Sequence, residues 1–221
     1  MALMTDRPGS STMTIALAAP GDGRAAVALG ALAVSGHGAA PSALAQAIDT
    51  HGGQVPLPFG RGRCLIARIG GTVAGMVYTT PAIRWIQEHP PAQRAALVHS
   101  LVEIELLAVA ESHRGQGIGT ELLATAEETA RSAGSHLALA KVRIGAFATM
   151  RWYRKRGYTI AAQAEPVIFR TRAGFESCDD GSDGYQLAVK TLQPGVVLRR
   201  RSERGSSMLV AEHVASNPGN R

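Results

Sequence analysis

The segment "LVEIELLAVAESHRGQGIGTELL", residues 101–123, constrains the fold more than any other stretch of the chain. An apolar run, "LVEIELLAV", reads as a buried strand. Three glycines at alternate positions follow, Gly115, Gly117 and Gly119. They open a helical pattern in which Ile118, Leu122, Ala126 and Ala130 recur four apart and Gly134 stands as a C-terminal stop. Glycine removes the side chain and tolerates positive φ, so such a run marks a place where a ligand approaches the main chain closely. A helix start presents unpaired N–H groups and about half a unit of positive charge, which suits an anion, phosphate first.

Two familiar phosphate loops fail on spacing. A Walker loop needs Lys and then Ser or Thr after its last glycine, whereas Gly119 is followed by Thr120 and Glu121. A dinucleotide fingerprint begun at Gly115 needs glycine at Thr120, and one begun at Gly117 needs glycine or alanine at Leu122.

At 221 residues and 45% hydrophobic content, the chain suits one globular domain with tails. Cys64 and Cys178 are its only cysteines, too few for a disulfide framework and at no metal-ligand spacing with the histidines, so a reducing compartment and no metal are expected. Half of the formal net charge of +6 falls from Gly195 onward, and the body shows no basic stripe interleaved with aromatics. The composition therefore points away from a nucleic-acid partner, apart from weak binding through the tail. The apolar run "AAVALGALAV" is too short to span a bilayer. The segment ahead of it, with Asp6 and Asp22 offsetting Arg7 and Arg24, is too long for the basic start of a secretory signal. It reads as an amphipathic core helix, which implies a cytoplasmic location and no membrane.

Along the chain, "TMTIALA" suggests a strand, followed by helices at about 22–35 and 41–50. "RCLIARIGGTVAGMVYTT" reads as a hairpin around Gly70 and Gly71. Residues 81–100, broken by Pro81, Pro90 and Pro91, read as a helical insertion. Beyond the opening motif, 136–144 alternates as a strand, 147–156 is a short helix ended by Gly157, and "YTIAAQ" and "YQLAVKTL" are strands. Strands and helices alternate in the second half, so an α/β or α+β sheet with helices on its faces is expected.

With "LLAVAESHRGQGIGTELL" and then "RWYRKRGY", the chain resembles the GNAT superfamily of N-acetyltransferases. The family's acetyl-CoA signature, R/Q-x-x-G-x-G/A, maps onto Arg114, Gly117 and Gly119. The resemblance implies a mixed, mostly antiparallel sheet splayed between the fold's fourth and fifth strands, with helices on both faces. Its span is 12–194, leaving 1–11 as a disordered N-terminus and 195–221 as a basic, partly disordered tail, with "MLVAEHV" a candidate docking element for a homodimer.

The resemblance also implies roles. Main-chain groups of Gly115, Gln116, Gly117, Ile118, Gly119 and Thr120 would cradle the pyrophosphate of acetyl-CoA, assisted by the charge of Arg114. The strand backbone of Leu107, Ala108 and Val109 would hold the pantetheine as an added strand. Glu105, with Glu103 as the alternative two residues away, would take the proton of the acceptor amine. Tyr153 would protonate the leaving thiolate. The Asn-x-x-Ala that often precedes this tyrosine in relatives is replaced by Ala146 and Thr149.

The implied activity is acetyl transfer by direct attack from acetyl-CoA to a primary amine of a small molecule. A protein amine or aminoacyl-tRNA as acceptor, and a non-catalytic CoA-binding module, are the alternatives. The acceptor site falls near "HGGQVPLPFGRGR", the insertion carrying Trp85, and residues 166–184. The last stretch holds Glu176, Asp179, Asp180 and Asp183, either a solvated loop or an attraction for a cationic amine.

Overall fold

The computed structural model describes residues 12–33, 42–172, 174–180, 184–203 and 205–214. The expectations for 1–11, for Asp183 and for the chain past Ser216 lie outside these residues.

The first half runs β1 (Met13–Leu17), α1 (Gly23–Ala33), α2 (Ser42–His51), β2 (Gln54–Leu57), β3 (Gly60–Ile69), β4 (Thr72–Pro81), α3 (Ile83–Glu88), α4 (Pro91–Leu97) and β5 (Leu101–Val109). A single 3₁₀ turn, Glu111–His113, leads to α5 (Ile118–Ser132), β6 (Leu137–Arg143), α6 (Phe147–Arg154) and β7 (Thr159–Ile160). The chain ends in β8 (Val167–Thr171), β9 (Gly174–Cys178), β10 (Tyr185–Thr191), β11 (Val196–Glu203) and β12 (Ser206–His213).

One sheet has the order β1-β3-β4-β5-β6-β10-β7, with β2 on the edge of β3. Its strands alternate between two cores, as a period of two requires. Leu65 and Ala67 of β3 face α5, whereas Cys64 and Ile66 face α1 and α2. Helix α5 fills the first core with Ile118, Leu122, Leu123, Ala126 and Ala130, all buried. Truncating a side chain such as Leu122, fully enclosed there, to alanine costs about 2–5 kcal/mol. The β3–β4 turn uses Gly70 and Gly71 at φ 55° and 82°, the pair of positive values that a two-residue type I′ turn demands.

The join between β5 and β6 decides where a ligand can enter. Every other described pairing in this sheet is antiparallel, but β5 and β6 run parallel and touch only at Leu101–Glu103 against Leu137–Leu139. Meanwhile β5 stays paired with β4 as far as Val109. From Ile104 onward the edge of β5 that faces β6 is therefore unpaired, and the sheet opens into a V. The splay lies between the fifth and sixth strands by count, because the short β2 adds one strand to the plan expected from the sequence.

Two sequence expectations change in the second half. Residues 166–184, considered above as a solvated acidic loop, form β8 and β9, and the basic tail forms the β11–β12 hairpin. Together they make a second sheet, β11-β12-β8-β9, in which Leu209 and Val210 pair in parallel with Val167 and Ile168. Leu209 and Phe169, each 1% exposed, join Trp85, Ile86 and Leu97 in a core against β6 and β10. The "MLVAEHV" segment thus packs inside its own chain. The tail arginines are partnered: Arg200 Nε donates to the buried Glu165 at 2.7 Å, and Arg199 and Arg201 both reach Glu212.

Candidate functional site

The glycine loop closes one end of a cleft of about 770 Å³ between β5, α5 and α6. Gly115 and Gly117 have φ of 79° and 84°, and a Cβ at either would meet no atom within 4 Å. Their requirement for glycine is therefore conformational: Gly117 is the left-handed cap from which α5 starts. Gly119 differs, since its φ is ordinary and a Cβ there would touch Val109 and Trp152 at 3.4 and 3.5 Å. Thr120 and Glu121 both donate to the carbonyl of Gly117, at 2.8 and 3.1 Å. No backbone N–H from Gly115 to Gly119 donates a hydrogen bond among the described residues. A run of free donors at the positive end of a helix, opening on a cleft, is an anion cradle.

Leu107, Val109, Arg114, Gly115, Gly117, Ile118, Gly119 and Thr120 line this cleft together. Ala108 and Gln116 do not. The Ala108 side chain is buried on the opposite face with α1 and α2, which leaves its main chain on the open edge of β5, and the Gln116 side chain donates to the Ser112 carbonyl at 3.4 Å. The Arg114 guanidinium hangs over the strand end, Nε donating to the Val109 carbonyl at 3.4 Å.

Tyr153 lies deep in the same cleft, 6% exposed, its ring edge-on to Trp152 and Tyr158 with centroids 5.0 Å from each. Burial, and then the negative charge of Glu127, push its phenol well above the usual range. The group keeps its proton at any working pH, as a proton donor must. Glu127 is the charged residue on the otherwise apolar face of α5, held by Lys190 Nζ at 2.5 Å.

A second cavity, about 530 Å³, opens on β5 further toward its start. Here the pairing with β4 slips: Tyr78 faces Leu106 while the next residue, Thr79, faces Ile104, so Glu105 is the extra residue of a bulge. Glu103 and Glu105 both line the wall of this cavity beside Lys141, Arg84 and Asp179. Glu105 is exposed and accepts from Thr80 Oγ1 at 3.4 Å. Burial, and then the neighbouring Glu105, push the Glu103 carboxyl up to about 7, against the opposing pull of Lys141 and Arg84. A carboxylate tuned near neutrality is a competent general base.

Helix α3 and strand β9 roof the cavity. Trp85 Nε1 donates to the Ser177 carbonyl at 2.7 Å, and His89 Nε2 meets Glu176 at 3.1 Å. Of the acids in 166–184, Glu176 is engaged in that clasp, and Asp180 accepts from the Ala164 N–H at 3.0 Å; Asp179 alone of the described ones lines the cavity. The nominated carboxylates and Tyr153 thus line two different hollows that share β5.

Cleft residues that escaped the sequence reading as ligand contacts include Trp152, Arg156 and His113. A Trp-x-x-x-Arg pair, four apart around Tyr153, was the available signal. Thr149, one of the two departures in the tyrosine helix, also lines the cleft, while Ala146 packs against the first core. Cys64 and Cys178 are both free and buried, and burial pushes both thiols up to about 12. No cluster of potential metal ligands occurs among the described residues, and no helix among them is long and apolar enough to cross a membrane.

Comparison with known proteins agrees with this geometry. The sequence model of the "Acetyltransferase (GNAT) family" matches residues 42–158, just over half of the chain. No match is found among curated proteins. Among solved structures, the yncA protein of Salmonella typhimurium with its cofactor acetyl-CoA superposes with a TM-score of 0.55 at 20% identity, covering 83% of this chain and 95% of that one. The ribosomal-protein-S18-alanine N-acetyltransferase of Escherichia coli gives 0.51 at 16% identity, covering 82% and 95%. The N-acetylglutamate synthase of Neisseria gonorrhoeae, complexed with coenzyme A and L-arginine, gives 0.54 at 18% identity, covering 83% of this chain and 34% of that one.

Proposed function

Because the chain belongs to the GNAT acetyltransferase family, and is thereby an acyltransferase working on acetyl-CoA, we propose that its acceptor is a primary amine of a small, cationic molecule. The observation that carries this reading is the roofed cavity on β5. Glu88, Glu103, Glu105 and Asp179 line it against Arg84 and Lys141, an acidic hollow in a chain of net charge +6. Opposite charge concentrates a cationic acceptor there, and the roof formed by α3 and β9 favours a small molecule over a protein segment.

In this reading acetyl-CoA lies in the larger cleft, its phosphates on the free amides of 115–119 and its pantetheine along the unpaired edge of Leu107–Val109. The amine must be neutral to attack. Its proton passes to Glu103, directly or through a water, while the charge of Glu105 holds the incoming ammonium and keeps Glu103 basic. Nitrogen bonds to the thioester carbon, the C–S bond breaks, and Tyr153 gives its proton to the departing sulfur.

Release of free CoA thiol from acetyl-CoA, measured over a panel of polyamines, amino sugars, amino-acid esters, free amino acids and peptides, tests the proposal. Small amines without a free carboxylate should be the best acceptors. Acetylation confined to peptides or proteins, read by intact mass, would overturn it.

A further inference from the structure

Resting on the assignment of the larger cleft to acetyl-CoA, we propose that Arg156 is the phosphate-recognition residue of this enzyme, held ready by stacking on Trp152. Its guanidinium lies over the Trp152 ring, 3.7 Å from the ring centroid. Nη1 donates to the Trp152 carbonyl at 2.8 Å, Nε to Thr120 Oγ1 at 3.1 Å, and Nη2 to the same hydroxyl. These contacts fix the planar group at the first turn of α5, beside the free amides.

Every one of those partners is neutral. No carboxylate lies within ion-pair distance of Arg156 among the described residues, although Arg200, Arg201 and Lys190 all have one. Burial depresses its ordinarily very high pKa, as expected of a cation without a counter-charge. Each terminal nitrogen keeps a second N–H after its present bond, so a phosphate oxygen can be taken without dismantling the stack. A cation without a counter-charge, preorganised on an aromatic ring at a helix start, marks where the ligand brings its negative charge.

The CoA molecule carries phosphate in two places, the pyrophosphate and the ribose 3′-phosphate, and the probes separate them. Dissociation constants for CoA and dephospho-CoA are measured for wild type, Arg156→Met and Arg156→Lys between low and high salt. Arg156→Met should bind CoA about tenfold more weakly, roughly 1.4 kcal/mol, with a shallower dependence on salt. Arg156→Lys, keeping the charge but not the stacked fork, should lose part of the affinity and retain the wild-type salt dependence. An equal loss with dephospho-CoA assigns the contact to the pyrophosphate, and a loss confined to CoA assigns it to the 3′-phosphate. Affinity within twofold of wild type in folded Arg156→Met, or a salt dependence unchanged by it, overturns the inference and leaves Arg156 as a tie between α5 and α6. A Lys variant whose salt dependence falls with that of Met also overturns it. Wild-type binding in the same titration keeps the two readings apart, since its failure would strike the acetyl-CoA assignment itself.

Discussion

Replacing Glu103 by glutamine should make the protein more stable at alkaline pH, because this carboxylate is held where its charge is disfavoured. Its pKa rises from the ordinary 4.5 to about 7 in the folded chain. A carboxyl whose folded pKa is raised binds more protons folded than unfolded between those two values, so stability falls as pH rises through the window. At about 1.4 kcal/mol per pH unit, the full difference is about 3 kcal/mol, reached above pH 7. Water in the open cavity screens part of it, which places the expected gain at about 1–3 kcal/mol. Urea unfolding of wild type and Glu103→Gln at pH 5 and pH 8.5, without ligand, reads it directly. The variant should be nearly level with wild type at pH 5 and clearly more stable at pH 8.5. A gap that is the same at both pH values, or a variant less stable at pH 8.5, would refute the claim that Glu103 is a strained acid. Gained stability with lost turnover is the expected signature of a group kept for chemistry.

On the proposed role of its hydroxyl as proton donor to the leaving sulfur, Tyr153→Phe should lower kcat more than it raises the dissociation constant of acetyl-CoA; equal losses in both would reassign the residue to binding. Gly117→Ala should cost about 1–2 kcal/mol in the ligand-free protein through its φ of 84° alone, because no atom lies near the added methyl; an unchanged melting temperature would contradict this. Deleting residues 199–221 should destabilise the fold by about 3 kcal/mol or more. It removes the buried Leu209 and the Arg200 that holds the Glu165 carboxyl down to about 2; a truncated chain with wild-type urea resistance would show the second sheet to be an ornament.

Much of the fold was legible because it rests on local patterns. The Gly70-Gly71 hairpin, the strand–glycine–helix run and the short helix ended by Gly157 each carry their own turn chemistry, so strands β3, β4 and β5 and helices α5 and α6 fall where periodicity places them. The second sheet was not legible. Its β11 carries three consecutive arginines that look like a solvated tail, and only long-range partners, Glu165 and Glu212, show that they can be accommodated in a strand. The bulge at Glu105 was likewise hidden, since register slip depends on β4 as well as on β5. Arg156 was missed because nothing in the turn after α6 reveals that it lacks a counter-charge.

The pH dependence of kcat/KM for the best amine of the panel, at saturating acetyl-CoA and corrected for the acceptor's own ionisation, tests the central claim most directly. Wild type should show an acidic limb near pH 7, set by Glu103. Glu105→Gln should move that limb to lower pH, because the charge that raises Glu103 is gone, and Glu103→Gln should abolish the limb along with most of the rate. A limb that persists unchanged in Glu103→Gln would contradict the account.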